Sequence, residues 1–113
     1  MATWIDIHTH LNMIKGATPE QTISEGQAAG VERFITIGTE PNDLPVVLEI
    51  AKRHFPTVAC TLGVHPHEGS LYNDSVEEFL EKNVDAREVE AVGEIGLDYH
   101  YDNSPREEQK VAF

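Results

Sequence analysis

The chain of 113 residues is long enough for one small domain with a hydrophobic core, and 40% of its residues are hydrophobic. Its formal net charge of −12 argues against a protein that binds nucleic acid through a broad basic surface. No apolar run approaches the roughly 18 residues that a membrane span needs. The single cysteine, Cys60, excludes an internal disulfide and fits a reducing compartment, so we expect a cytoplasmic protein.

The first half of the chain alternates short apolar runs with amphipathic segments. Residues 3–8 (TWIDIH) predict a strand. Residues 18–30 predict a helix, with Thr18 and Gln21 spaced for a capping box and Gly30 placed to end it. The next two elements follow the same order, and their predicted bounds are 33–39 for a strand and 42–55 for a helix.

The second half repeats this alternation. Its predicted strands are residues 57–65 and 88–96, and its predicted helices are residues 74–84 and 104–113. Ser75 and Glu78 have capping-box spacing, and Ser104 with Glu107 repeats that pattern at the last helix. Four successive βα units predict a parallel sheet and an α/β fold, namely about half of an eight-stranded (β/α)8 TIM barrel.

The last predicted helix ends on three apolar residues that favour burial, Val111, Ala112 and Phe113. We therefore expect residues 1–113 to be the N-terminal half of a barrel domain, truncated in its fourth helix, since a full barrel takes about 250 residues. A half barrel exposes its inner face and two strand edges, so we expect it to associate with itself. We also expect little or no catalytic activity from this half alone.

Histidine and carboxylate side chains follow several of the predicted strands. His8 and His10 end the first, His65 ends the third, and Glu94 ends the fourth. Ligands of α/β folds bind at these carboxyl ends, and His8 and His10 share one face because side chains alternate along a strand. Two imidazoles and a carboxylate suit Zn²⁺ or another divalent first-row ion, although polar residues also occur wherever strands simply stop.

Several motifs together resemble the TatD family of metal-dependent hydrolases. They are IDIHTHLN (5–12), LGVHPHEG (62–69), AVGEIGLDY (91–99) and PREEQKVAF (105–113). The resemblance implies a TIM barrel of the metallo-dependent hydrolase type, with one or two divalent ions (Zn²⁺, Mg²⁺ or Mn²⁺) at its carboxyl-terminal rim. It also implies deoxyribonuclease activity of the 3′-to-5′ exonuclease type, with DNA or another phosphoester as substrate and no membrane partner.

The resemblance also assigns metal-binding residues. His8 and His10 match the first two metal ligands of the family. Glu94 matches the carboxylate that contacts or bridges the metals, and we assign it a catalytic role as well. The family's remaining ligands, two histidines and an aspartate, come from the second half of the barrel, which lies outside these 113 residues.

A second group of residues is expected to bind substrate. By resemblance, His65 matches a histidine that contacts substrate or phosphate, and His67 and Asp98 belong to the same family motifs. The implied reaction is phosphodiester hydrolysis by water that a divalent ion activates. Two alternatives stay open. One is a metal-dependent TIM-barrel hydrolase that acts on amides or small phosphoesters. The other is a shortened, non-enzymatic paralogue that binds a partner through its exposed sheet edge.

Overall fold

The computed structural model describes residues 2–113, which form a parallel sheet flanked by helices. The strands are β1 (Trp4–Thr9), β2 (Val31–Ile37), β3 (Val58–Leu62) and β4 (Val89–Val92). The helices are α1 (Pro19–Ala28), α2 (Leu44–His54), α3 (Asp74–Asn83) and α4 (Arg106–Ala112), and a short 3₁₀ helix covers Pro66–Leu71. Among these residues, no helix combines the length and the apolar character that crossing a membrane requires.

The four strands lie in chain order, β1-β2-β3-β4, and each pairs in parallel with the next. This order is the one that successive βα units produce when a sheet grows in one direction. The predicted α/β class and the four parallel strands of a half barrel are therefore confirmed. The sheet has two edges, β1 and β4, where a closed barrel has none.

The hydrophobic core lies where the helices cover the middle of the sheet. Every residue of β3 is buried, and α2 supplies Val47 and Ala51 to the same cluster. Cys60 also belongs to this core, and burial raises the pKa of its thiol to about 12. The edge strand β1 differs, because its Ile5 and Ile7 side chains are exposed.

Two of the predicted helix ends are confirmed. The Thr18 side chain accepts a hydrogen bond from the Gln21 backbone, and the Gln21 side chain accepts one from the Thr18 backbone. Gly30 follows the end of α1 with a φ of +97°, a left-handed conformation that glycine adopts without strain.

Two predicted helix starts are wrong. Asn73, not Ser75, caps α3, because its side chain accepts from the Val76 backbone. Ser104 does not cap α4, which begins after Pro105 without a side-chain cap. Ser104 is instead buried in a tertiary contact that spacing along the chain does not reveal.

The ends of two strands were also predicted too far along the chain. The third strand stops at Leu62 and the fourth at Val92, several residues before the predicted ends at 65 and 96. Beyond Leu62 the chain turns into the 3₁₀ helix, which the sequence analysis did not predict. His65 and Glu94 therefore lie in irregular segments beyond the ends of β3 and β4 rather than on the strands themselves.

Candidate metal centre

The two histidines at the carboxyl end of β1 lie side by side. His8 is within the strand and His10 directly follows its last residue, Thr9. Their ring centroids are 5.2 Å apart in an edge-to-face arrangement. The backbone N–H of His8 donates to the Asp6 carboxylate at 3.1 Å, which helps to hold this end of the strand. Strand alternation thus brings the two rings together as predicted.

The segment that follows β4 passes the carboxyl end of the sheet and brings Glu94 close to these histidines. Its backbone N–H donates to the carbonyl of Gly38, after β2, at 2.8 Å. Its Oε2 lies 3.7 Å from His8 Nε2. His8, His10 and Glu94 each offer one ligand atom, and these three atoms lie within 4.8 Å of one another. The structure therefore brings the predicted metal-binding set into one cluster.

The cluster fits a divalent cation. Metal–ligand bonds of about 2.1 Å place the ligand atoms of one ion about 3.0 to 4.2 Å apart, so small side-chain rotations close the site. Nδ1 of His10 is buried and makes no hydrogen bond among the described residues, so it does not tie the ring to another protein group. Two neutral imidazoles and one carboxylate leave a net positive centre with a divalent ion, which can attract an anionic substrate.

His65 lies next to Glu94 with its proton position set by the backbone. Its N–H donates to the Thr39 carbonyl at 2.7 Å, which ties the segment after β3 to the end of β2. Its Nδ1 accepts from the backbone N–H of His67 at 3.1 Å. Because that amide can only donate, the neutral His65 ring carries its proton on Nε2, which lies 3.6 Å from Glu94 Oε1. In this tautomer His65 presents a donor to the site.

His67 is paired with Asp98. Its Nε2 lies 2.6 Å from Asp98 Oδ2. A hydrogen bond from the His100 backbone, joined by the one from His67, lowers the pKa of the Asp98 carboxyl below its usual value. Asp98 is therefore ionised near neutral pH and only accepts, so His67 Nε2 donates the bond. This arrangement leaves His67 Nδ1 as the acceptor of the neutral ring.

These residues surround an acidic cavity of about 320 Å³. The lining residues are His10, Met13, Thr39, Glu40, His65, His67, Glu68 and Glu94. The described lining contains three carboxylates and no lysine or arginine. A phosphate is not attracted to such a cavity by the protein alone, whereas a cation is. Asp98 is not part of this lining and contacts it through His67.

A buried carboxylate that the sequence analysis missed supports the rim. Asp43 is 8% exposed and accepts from the Thr39 hydroxyl at 2.6 Å and from the Asn12 amide at 3.1 Å. Asp43 therefore joins the loop after β1 to the loop after β2, and both loops border the site. Its position directly before α2 is typical of a helix cap, yet its side chain makes no capping hydrogen bond.

A parallel β/α half barrel that collects two histidines from its first strand and a glutamate after its fourth has the framework of metal-dependent TIM-barrel hydrolases. The family model described as TatD related DNase matches residues 5–113. The chain belongs to this family, and the resemblance seen in its motifs is confirmed.

Individual relatives agree with this assignment. The chain is 34% identical over 94 residues to the 3′-5′ ssDNA/RNA exonuclease TatD of Pectobacterium atrosepticum, covering 83% of this chain and 36% of that protein. It is 35% identical over 112 residues to the uncharacterized metal-dependent hydrolase YabD of Bacillus subtilis, covering 96% of this chain and 42% of that protein. The chain thus spans about two fifths of the length of these relatives.

Solved structures show the same fold. The crystal structure of YJJV, a TatD homolog from Escherichia coli K12, superposes with a TM-score of 0.82 at 30% identity, over 96% of this chain and 43% of that one. A TatD family hydrolase from Entamoeba histolytica gives a TM-score of 0.73 at 27% identity, over 99% of this chain and 44% of the other. The four βα units described here match less than half of each neighbour.

Proposed function

We propose that this chain contributes the first metal ligands of a metal-dependent phosphodiester hydrolase, a TatD-like deoxyribonuclease of the 3′-to-5′ exonuclease type. The observation that carries the proposal is the cluster of His8, His10 and Glu94, of which His10 and Glu94 line a cavity together with other carboxylates and histidines. A cavity of this charge needs a cation before it can hold a phosphodiester. The location that fits this chemistry and the single buried thiol of Cys60 is the cytoplasm.

Each residue of the site has a role in the proposed reaction. When bound, the divalent ion supplies a water of lowered pKa near the phosphorus and offsets charge on the phosphate. His8 and His10 would hold the ion, for which the candidates are Zn²⁺, Mg²⁺ and Mn²⁺. Glu94 has one oxygen toward His8 and the other toward His65, so it can hold the ion and orient the nucleophile.

The substrate-binding residues complete the proposal. His65 offers its Nε2 proton to a phosphate oxygen, because Nδ1 is engaged by the backbone. His67 lies in the same cavity and is oriented by Asp98. A net charge of −12 disfavours long stretches of duplex on the surface. Because the Pectobacterium relative is named for single-stranded DNA and RNA, we propose a single-stranded end as the substrate.

The test is a nuclease assay on protein that carries this chain within a complete barrel. A 5′-labelled single-stranded oligonucleotide is expected to shorten from its 3′ end. A chelator should abolish this shortening, and added Mg²⁺, Mn²⁺ or Zn²⁺ should restore it. The half barrel of residues 1–113 is assayed in parallel. It is expected to show little or no activity because it supplies three of the proposed metal ligands and lacks the others. Tight binding of duplex DNA without metal would contradict the proposal.

A substrate panel separates the alternatives. A nitrophenyl phosphodiester and a cyclic amide of the dihydroorotate type are assayed beside the oligonucleotide. Hydrolysis of the amide without nuclease activity would favour the other TIM-barrel hydrolases. Absence of all three activities in the metal-loaded complete barrel would favour a binding module.

The exposed edge of the sheet leads to a separate proposal about residues 1–113. Ile5 and Ile7 on β1 are 57% and 70% exposed, and Val92 on the opposite edge strand is 57% exposed. Unpaired edges with apolar side chains favour pairing with another chain. We therefore propose that this half barrel self-associates. Sedimentation velocity at micromolar concentration is expected to show dimers or larger species, and a compact monomer across a hundredfold range of concentration would contradict this proposal.

A further inference from the structure

A buried glutamine in α4 holds the backbone that carries Asp98. Gln109 is 2% exposed, and its side-chain amide makes three hydrogen bonds. Its Oε1 accepts from the Asp98 N–H at 2.9 Å. Its Nε2 donates to the Asp98 carbonyl at 2.8 Å and to the Ser104 carbonyl at 2.9 Å. Both backbone groups of Asp98 are therefore fixed by one side chain.

The same network reaches the backbone of His67 from the other side. Ser104 is 1% exposed, and its Oγ donates a hydrogen bond to the His67 carbonyl at 2.8 Å. The Ser70 backbone N–H donates to that Oγ at 3.2 Å. The 3₁₀ helix also packs closely on α4, since a Cβ added to Gly69 would lie 3.1 Å from the Gln109 Cα. The two halves of the His67–Asp98 pair thus share one buried support.

The chemistry of this support is specific. A buried amide costs free energy unless its donors and acceptor are all paired, and those of Gln109 are paired only with the segment from 98 to 104. An apolar side chain of similar volume could fill the same space but could not fix the Asp98 peptide groups. The Asp98 carboxylate is further held by the His100 N–H on Oδ1, which leaves Oδ2 for His67.

We propose that Gln109 is a positioning residue that sets the hydrogen bond between Asp98 and His67, and through it the orientation of the His67 ring in the cavity. Gln109 does not line the cavity, so it acts on His67 through Asp98 and, from the other side, through Ser104. The inference rests on the proposed function in one respect, which is that His67 binds substrate. The geometric part can be tested without substrate or metal.

The experiment follows the His67 Nε2 proton by ¹H–¹⁵N NMR in the full chain, with His67 assigned through a His67→Asn variant. In the wild type this proton is expected to exchange slowly with water, as its 2.6 Å bond to a carboxylate implies. Gln109→Met keeps the volume and removes all three hydrogen bonds, and Gln109→Glu keeps only the acceptor. We expect both to accelerate exchange about fivefold or more, since losing one hydrogen bond costs about 1 kcal/mol.

The matched control is Gln21→Met. The Gln21 side chain also accepts a backbone hydrogen bond, but it does so in the exposed cap of α1. This variant should leave the His67 signal unchanged. Unchanged exchange in folded Gln109 variants would overturn the proposal. So would loss of the folded state in both, because Gln109 would then support the whole chain rather than this pair. A complete barrel without nuclease activity would refute the proposed function and leave this NMR result to be judged separately.

Discussion

Replacing Glu94 by glutamine is expected to lower the affinity of the site for Zn²⁺ and Mn²⁺ by at least about 100-fold, because the substitution removes the anionic member of the cluster of His8, His10 and Glu94. Loss of residues that merely support ligands already costs about 10- to 100-fold, and a direct ligand contributes more. The glutamine keeps the shape of the side chain and its backbone bond to Gly38, so the fold is expected to remain intact. Nuclease activity of the complete barrel should fall with the metal.

Isothermal titration calorimetry with each metal checks this prediction. Glu90→Gln is the matched control, since Glu90 is also a partly exposed glutamate and lies on β4, where its carboxylate pairs with Arg33 instead of the histidines. That variant should bind metal as the wild type does. Equal affinity of Glu94→Gln and wild type would remove Glu94 from the site.

The fold was predictable because local patterns and tertiary structure agree in this chain. Apolar runs and capped amphipathic segments alternate four times, and each produced a strand or a helix near its predicted position. The proximity of His8 and His10 followed from the two-residue period of a strand. The place of Glu94 followed from the rule that strand ends meet at one rim, together with the family motifs.

The details of the site were less predictable because they depend on contacts between distant segments. Glu94 bonds to Gly38 across the sheet, a contact that no local spacing encodes. Gln109 and Ser104 lie in a segment that has the composition of an exposed helix start, yet both are buried. Asp43 has the sequence position of a cap and the structural role of a link between two loops. In each case a polar side chain finds its partner only after the helices pack.

Gly63→Ala is expected to destabilise the chain by about 3 kcal/mol, at the upper end of overpacking costs. A Cβ at this position would lie 2.7 Å from the Gly93 carbonyl carbon, and 2.9 Å from both its Cα and its nitrogen. These are backbone atoms, so the clash cannot be relieved by rotating a side chain. The chain after β4 would have to move away from the end of β3, and chemical denaturation should show the loss of stability.

Gly93→Ala provides the control within the same contact. A Cβ on Gly93 would come no closer than 3.9 Å to Thr61 Oγ1, which is an ordinary contact, so we expect a cost below about 1 kcal/mol. The difference between the two variants tests whether the contact between Gly63 and the Gly93 backbone requires close approach or glycine flexibility. Because Glu94 directly follows Gly93, displacement by Gly63→Ala should also move the carboxylate from His8 and lower the Zn²⁺ affinity, whereas Gly93→Ala should preserve it. Equal losses in both variants would contradict this account, since flexibility of either glycine would then explain them.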